Sequence, residues 1–339
     1  MWRIVVVVSM LLCNEFVSVA VSQEDNVELR QRFLRGISKA EHDFETLTVR
    51  ANFEQMGRWK SLSPKSAALR KSAGLGSNEG DVTLTDVAMC DGFLLESGKD
   101  PKSGNDFVRA KNDSYTFSIV KSKNTGIASL EFLERVGLDK SVDKLIAERA
   151  TFPRVQLSGA YNLWRESLFE IINYKSFVVE RVYRVENEGN ECIRVEFGYE
   201  FGDPSSVNGH RITNAFLVSD PQRNWALTKY GGTMYTYVNK STLRTEATLE
   251  YLDNLSGFPI PSKITQRTTW PDNKGTELES ELTSKNVTKN VSKDEFFLSY
   301  YGLPEPKFES RWYGNWIWIL VVGIGVIGFG VFLRKRRAK

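Results

Sequence analysis

Two histidines and three cysteines in 339 residues leave little from which to build a metal centre or an imidazole or thiol nucleophile. The spacings His-Glu-x-x-His, Cys-x-x-Cys and Gly-x-Ser-x-Gly are all missing. His42 lies in Glu41-His42-Asp43 and His210 in Gly209-His210-Arg211, and both read as solvated positions. The sequence is therefore read as a non-enzyme without metal or cofactor. Acids gathered in a cavity beside His210 would reopen that question. A basic stripe is also lacking. Of 45 Lys and Arg, six are Arg3, Arg334, Lys335, Arg336, Arg337 and Lys339, so the stretch between the ends is slightly acidic. That excludes nucleic acid as the expected partner. Disorder is excluded too, because 41% hydrophobic and 12% aromatic residues supply a large core.

Long apolar runs are confined to the two ends. Arg3, the uncharged run 4–14 and Ser18-Val19-Ala20 form the pattern of a secretory signal peptide, residues 1–20. Near the other end, 312–333 contains no charge, and at 1.5 Å per residue this suffices to cross a hydrocarbon core of about 30 Å. Trp312, Tyr313, Trp316 and Trp318 supply an interfacial aromatic belt, and Arg334, Lys335, Arg336 and Arg337 a cationic cytoplasmic stop, residues 334–339. The glycines of this run, 323, 325, 328 and 330, lack the spacing of a dimerising pair. The expectation is a single-pass protein held by the lipid bilayer, its body (21–304, then a linker 305–311) periplasmic or on the cell surface. Pro304-Glu305-Pro306 ahead of such a span also resembles the PEP-type sorting signal of exported bacterial proteins, although a spacer from Lys307 to Trp316 stands between it and the most apolar stretch. That resemblance implies a cleaved tail instead of a permanent anchor.

Within the body, Leu29, Phe33, Ile37 and Ala40 mark a helical stripe, and 44–53 reads as an extended segment. Residues 58–80, with Pro64, Gly74, Gly76 and Gly80, read as an irregular insertion. Helices are expected at 139–149 and 163–173. Alternation is clearest where Ile193, Val195, Phe197, Tyr199 and Phe201 interleave with polar residues. It recurs at 243–251 and 276–282, with turns at 186–190 and 271–275. The fold class is α+β, mainly β: an antiparallel meander forming a curved sheet or half-barrel packed on a few helices.

Ala51-Asn-Phe-Glu-Gln55 early in the body and Phe296-Phe-Leu-Ser-Tyr-Tyr-Gly-Leu-Pro304 at its end resemble segments of the bacterial lipoprotein-localisation carriers. The chain also resembles exported bacterial proteins that end in Gly-Leu-Pro-Glu-Pro and a membrane span. The carrier resemblance implies a curved sheet around an apolar cavity that takes acyl chains, hence an apolar ligand or acylated protein as partner. The insertion at 58–80 and the anchor depart from the soluble carriers. The alternative is a structural or protein-interaction ectodomain without a cavity. Cys90 and Cys192, the two cysteines outside the signal peptide, form either one disulfide or two separate buried thiols. Trp225, Tyr230, Tyr235, Tyr237 and Tyr251 serve a core or line a ligand surface. Asn112, Asn239, Asn254, Asn286 and Asn290 begin glycosylation sequons.

Overall fold

The computed structural model describes residues 26–64, 67, 82–100, 103–136, 156–164, 166–205, 209–251, 257–272 and 276–308. The signal peptide, most of the insertion, the helix expected at 139–149, the apolar run 312–333 and the basic tail lie outside these residues. Among the described residues, no helix is long and apolar enough to cross a membrane.

Helix α1 (Asn26–Glu45) opens the described chain. Phe33, Ile37, Ala40 and Phe44 follow one another at intervals of three and four, and all four are fully buried. The stripe runs one turn further than its sequence suggested, so Phe44 belongs to the helix and the first strand begins at Val49. That strand, β1 (Val49–Ser61), starts a meander through β2 (Val82–Cys90), β3 (Phe93–Lys99), β4 (Asp106–Lys111), β5 (Tyr115–Lys121) and β6 (Ala128–Arg135). The chain then crosses from one edge of the sheet to the other. A second meander follows: β9 (Val178–Asn187), β10 (Asn190–Phe201), β11 (His210–Asp220), β12 (Ala226–Thr236), β13 (Ser241–Glu250), β14 (Lys263–Trp270) and β15 (Thr276–Thr288). β15 pairs with β1, joining both runs into one 13-stranded antiparallel sheet with β6 and β9 as its edges.

Residues 156–164 and 166–171 of the crossing segment make the plug of this sheet. Where the sequence suggested a helix over 163–173, the chain instead makes a 3₁₀ turn (Gly159–Tyr161), a miniature hairpin of β7 (Asn162–Leu163) with β8 (Glu166–Ser167), and a one-turn α2 (Leu168–Ile171). Trp164 adopts a left-handed φ of 51°, which no helix accommodates. Its apolar residues are nevertheless the ones buried: Leu163, Leu168 and Ile171 are fully inaccessible.

One apolar cluster unites α1, the plug, β1, β2 and β9 to β13. On a flat sheet the seven spacings between β2 and β10 would cover about 34 Å, whereas a helix is only about 10–12 Å across. The sheet therefore curls around its contents. Two glycines allow tryptophans to lie against the backbone. A Cβ on Gly36 would sit 2.3 Å from the Trp225 ring, and one on Gly232 3.0 Å from Trp164. The mainly β, curved antiparallel architecture expected from the alternation is thus present.

A second, smaller cluster lies on the opposite face. Along β2, Val87 and Met89 face the helix, while Ala88 and Cys90 face a strap formed by the chain from Val291 to Phe308. The period of two assigns successive residues to two different cores. The strap contributes Phe296 and Leu298, both buried, with Phe297, Tyr301, Leu303 and Phe308 packed around them. Residues 305–308, read from sequence as the start of a linker, belong to it.

Candidate functional site

Among the described residues, the protein's own side chains pack inside the curled sheet, with Tyr161, Phe33, Phe44, Phe169 and Phe197 among the most buried. Phe44, Tyr161, Phe169 and Phe258 form a continuous aromatic group with ring centroids 5.0–6.3 Å apart. An open cleft of about 440 Å³ lies at one end. Buried Leu47 and Phe258 make its floor, and Asp43, Thr46, Thr48, Asn224, Gly257 and Lys289 surround it. The α1–β1 loop, the β11–β12 turn, the β13–β14 loop and the exit of β15 bring these residues together. Asp43 Oδ2 accepts from Lys39 Nζ at 2.7 Å and from Asn224 Nδ2 at 3.2 Å. Those bonds fix the acidic side of the rim, and Lys289 provides an exposed cation on it.

His210 is not in a solvated loop. It is the first residue of β11 and only 7% exposed. Its Nε2 lies 2.8 Å from Glu166 Oε1, and Tyr199 Oη donates to Glu166 Oε2 at 2.9 Å. Burial, with the Glu166 charge adding to it, pushes the Tyr199 hydroxyl far above its ordinary range. A single acid, Glu166, thus stands beside His210, contributed by a residue 44 positions earlier, a distance no motif spans; the cleft described above is not lined by either residue. Phe201 packs over the imidazole at 5.3 Å and Tyr199 edge-on at 6.1 Å. The group ties the plug to β10 and β11.

A second ionic group anchors the strap. Arg50 pairs with Glu295 and, at 3.2 Å, with Asp86. Burial, reinforced by the Glu295 charge, outweighs Arg50 and lifts Asp86 above its ordinary carboxylate range. On the helix face, Glu96 is 2% exposed; burial raises its carboxyl more than Arg109, 3.5 Å away, lowers it. Among the described residues, no three His, Cys, Asp or Glu are arranged to hold a metal ion.

The remaining sequence candidates separate. Cys90 on β2 and Cys192 on β10 are both free and buried. Their strands stand seven places apart in the sheet, so the disulfide alternative gives way to two separate thiols. Burial pushes the Cys192 thiol up to about 11. Tyr230 and Tyr251 are core residues, bonded to Gln266 Oε1 at 3.1 Å and Leu227 O at 2.5 Å, while Tyr235 and Tyr237 form an edge-on pair near the surface. His42 lies exposed in the last turn of α1. Glu277, Glu279 and Glu281 face the solvent side and pair with Arg267, Lys60 and Lys263. Asn112 is 2% exposed. Its amide donates to Phe296 O at 3.0 Å and its carbonyl accepts from Ser114 and Tyr115, which leaves no room for a glycan. The membrane-interface residues Trp312, Tyr313, Trp316, Trp318, Arg334, Lys335, Arg336 and Arg337 lie outside the described residues.

No family model and no curated protein matches the chain. Among solved structures it is similar to a DUF1329 family protein from Desulfovibrio piger, at 10% identity over 81% of this chain and 99% of that one, with a TM-score of 0.40. LprF from Mycobacterium bovis overlaps at 9% identity over 77% and 95%, with a TM-score of 0.28. The haemoglobin receptor HpuA from Kingella denitrificans overlaps at 12% identity over 76% and 92%, with a TM-score of 0.17. None of these overlaps is deep enough to set a family.

Proposed function

We propose that the protein is a membrane-anchored, non-enzymatic binding module whose body lies outside the cytoplasm and whose ligand is a lipid or the acylated segment of a protein. The observation that carries this reading is the cleft at the α1–β1 end, which sets two buried apolar residues beneath a polar rim. Its volume falls within the range of roughly 300–1,000 Å³ usual for small-ligand sites. An amphipathic molecule would place its apolar part against Leu47 and Phe258 and an anionic group at Lys289. The ligand is thus held at the end of the sheet and not enclosed within it, since α1 and the plug occupy the interior.

Native mass spectrometry of the full chain, released from detergent, tests this. The wild type is expected to retain lipid, and Lys289→Glu to weaken retention by about tenfold, or ~1.4 kcal/mol. A lipid-free wild type, or unchanged retention by both Lys289→Glu and Phe258→Ala, would overturn it. The packed interior itself favours a second reading, an envelope ectodomain that binds a protein through its surface. Crosslinking on intact cells that captures one defined protein partner on a lipid-free body would select that reading.

A further inference from the structure

The strap fixes where the chain leaves the body. Phe308, the last described residue, packs against Tyr115 with ring centroids 6.0 Å apart, and the Arg135 guanidinium lies over it at 5.8 Å. Tyr115 opens β5, Arg135 closes β6, and the two are cross-strand partners. The Tyr115 hydroxyl bonds the Glu305 carboxylate and accepts from Leu298 N at 3.1 Å. Glu305 also accepts from Ser299 N at 2.8 Å. The strap therefore stops at a defined end of the sheet. In a strict antiparallel meander the same end carries the β2–β3 turn at Asp91-Gly92, the β4–β5 turn at Asn112–Ser114, the α1–β1 loop and the cleft.

Only three residues, 309–311, separate Phe308 from Trp312, where the uncharged run begins. At no more than about 3.6 Å per extended residue, this leash, the four steps from Phe308 to Trp312, reaches about 14 Å at most. The seven residues of β5 extend about 24 Å. The leash is thus shorter than the strand to which it is fastened.

We infer that the strap is a positional clamp that presents this end of the sheet, and the mouth of the cleft with it, to the surface of a lipid bilayer. The inference rests on the anchored reading proposed above, and it gives the cleft its source of ligand, the adjoining leaflet. The opposite end, with the β5–β6 turn at Ser122–Ile127, points away.

The test uses the full chain in phosphatidylcholine vesicles containing nitroxide-headgroup lipid. One fluorophore is placed through Asp113→Cys at the near end, another through Thr125→Cys at the far end, both in a Cys13→Ser background; Cys90 and Cys192 are buried and stay unlabelled. The expected result is several-fold stronger quenching at position 113 than at 125. A dozen Gly and Ser residues inserted after Glu309, which leave the packed body untouched, are expected to abolish that difference. Equal quenching in a chain that floats with the vesicles overturns the clamp and leaves the anchor intact. So does an insertion without effect. A chain that fails to float with the vesicles overturns the anchored reading, and the clamp falls with it.

Discussion

The two faces of the sheet are closed in different ways. The concave face is closed by a helix and a plug whose residues reach from β1 to β13, so its contacts join parts of the chain far apart in sequence. The opposite face is closed over β2 to β6 by a single strap of 18 residues, held by a few rings and a few polar ties. Between them, β2 and β3 are buried on both sides. The difference teaches that one sheet can carry two units of unequal cooperativity. The helix core must open with the whole fold, whereas the strap can lift away while the sheet remains.

The largest expected effect breaks the concave side. Phe44→Ala removes a fully buried ring that contacts Phe169 and Phe258, and should cost about 3–5 kcal/mol. Urea unfolding should show one midpoint lowered for the helix and the sheet together. Phe296→Ala on the strap is the matching experiment. Hydrogen exchange should speed up over 293–303 while α1 stays protected; equal loss in both would show that the two faces form one cooperative unit.

Gly36→Ala comes next and sharpens the comparison by its sign. In an exposed helix, Ala is favoured over Gly by about 1 kcal/mol. Here the new methyl meets the Trp225 ring, so the substitution is expected to destabilise by roughly 1–3 kcal/mol. A rise in the thermal midpoint would show that Trp225 moves aside freely.

The smallest effect is on the strap's response to pH. Burial opposes charge on Glu305, but bonds from Tyr115 and Ser299 prevail and hold its carboxyl below the ordinary 4.5. A depressed carboxylate stabilises above its unfolded pKa, and that contribution is lost as pH falls through the folded value, below 4.5. Tyr115 is pushed up to about 12 by burial and by Glu305. A raised tyrosine contributes fully below its ordinary 10, and the contribution is lost as pH climbs through about 12. Protection over 296–303, with exchange rates corrected for the intrinsic pH dependence of amide exchange, should therefore be greatest between these limits and fall on both sides. Glu305→Gln should flatten the acid limb and leave α1 unchanged.

Much of the sheet was legible because alternation is local. Ile193, Val195, Phe197 and Tyr199 declare their face without reference to any partner, and all four are buried. The plug was half legible. Its apolar residues are buried, but their helical spacing concealed a turn that breaks at Trp164 and a hairpin of β7 with β8. The cleft could not be read at all, because Asp43 on α1 and Asn224, Phe258 and Lys289 in three connections come from distant parts of the chain. His210 was misplaced for the same reason. Its two immediate neighbours, Gly209 and Arg211, suggest solvent, while the residues that enclose it, Phe201, Tyr199 and Glu166, are brought up by other segments.

The sequence by itself determined the strand periodicity, the stripe of α1, the near-neutral charge of the body and the expectation of an export signal and an anchor, since each depends on neighbours a few positions apart. Tertiary structure decided how the strands close on one another: that β15 joins β1, that the plug packs inside the sheet, that the two cysteines stay apart, and that the Gly-Leu-Pro-Glu-Pro stretch is a strap. These depend on which distant surfaces exclude water together, and hydrophobic burial favours contact without naming the partner.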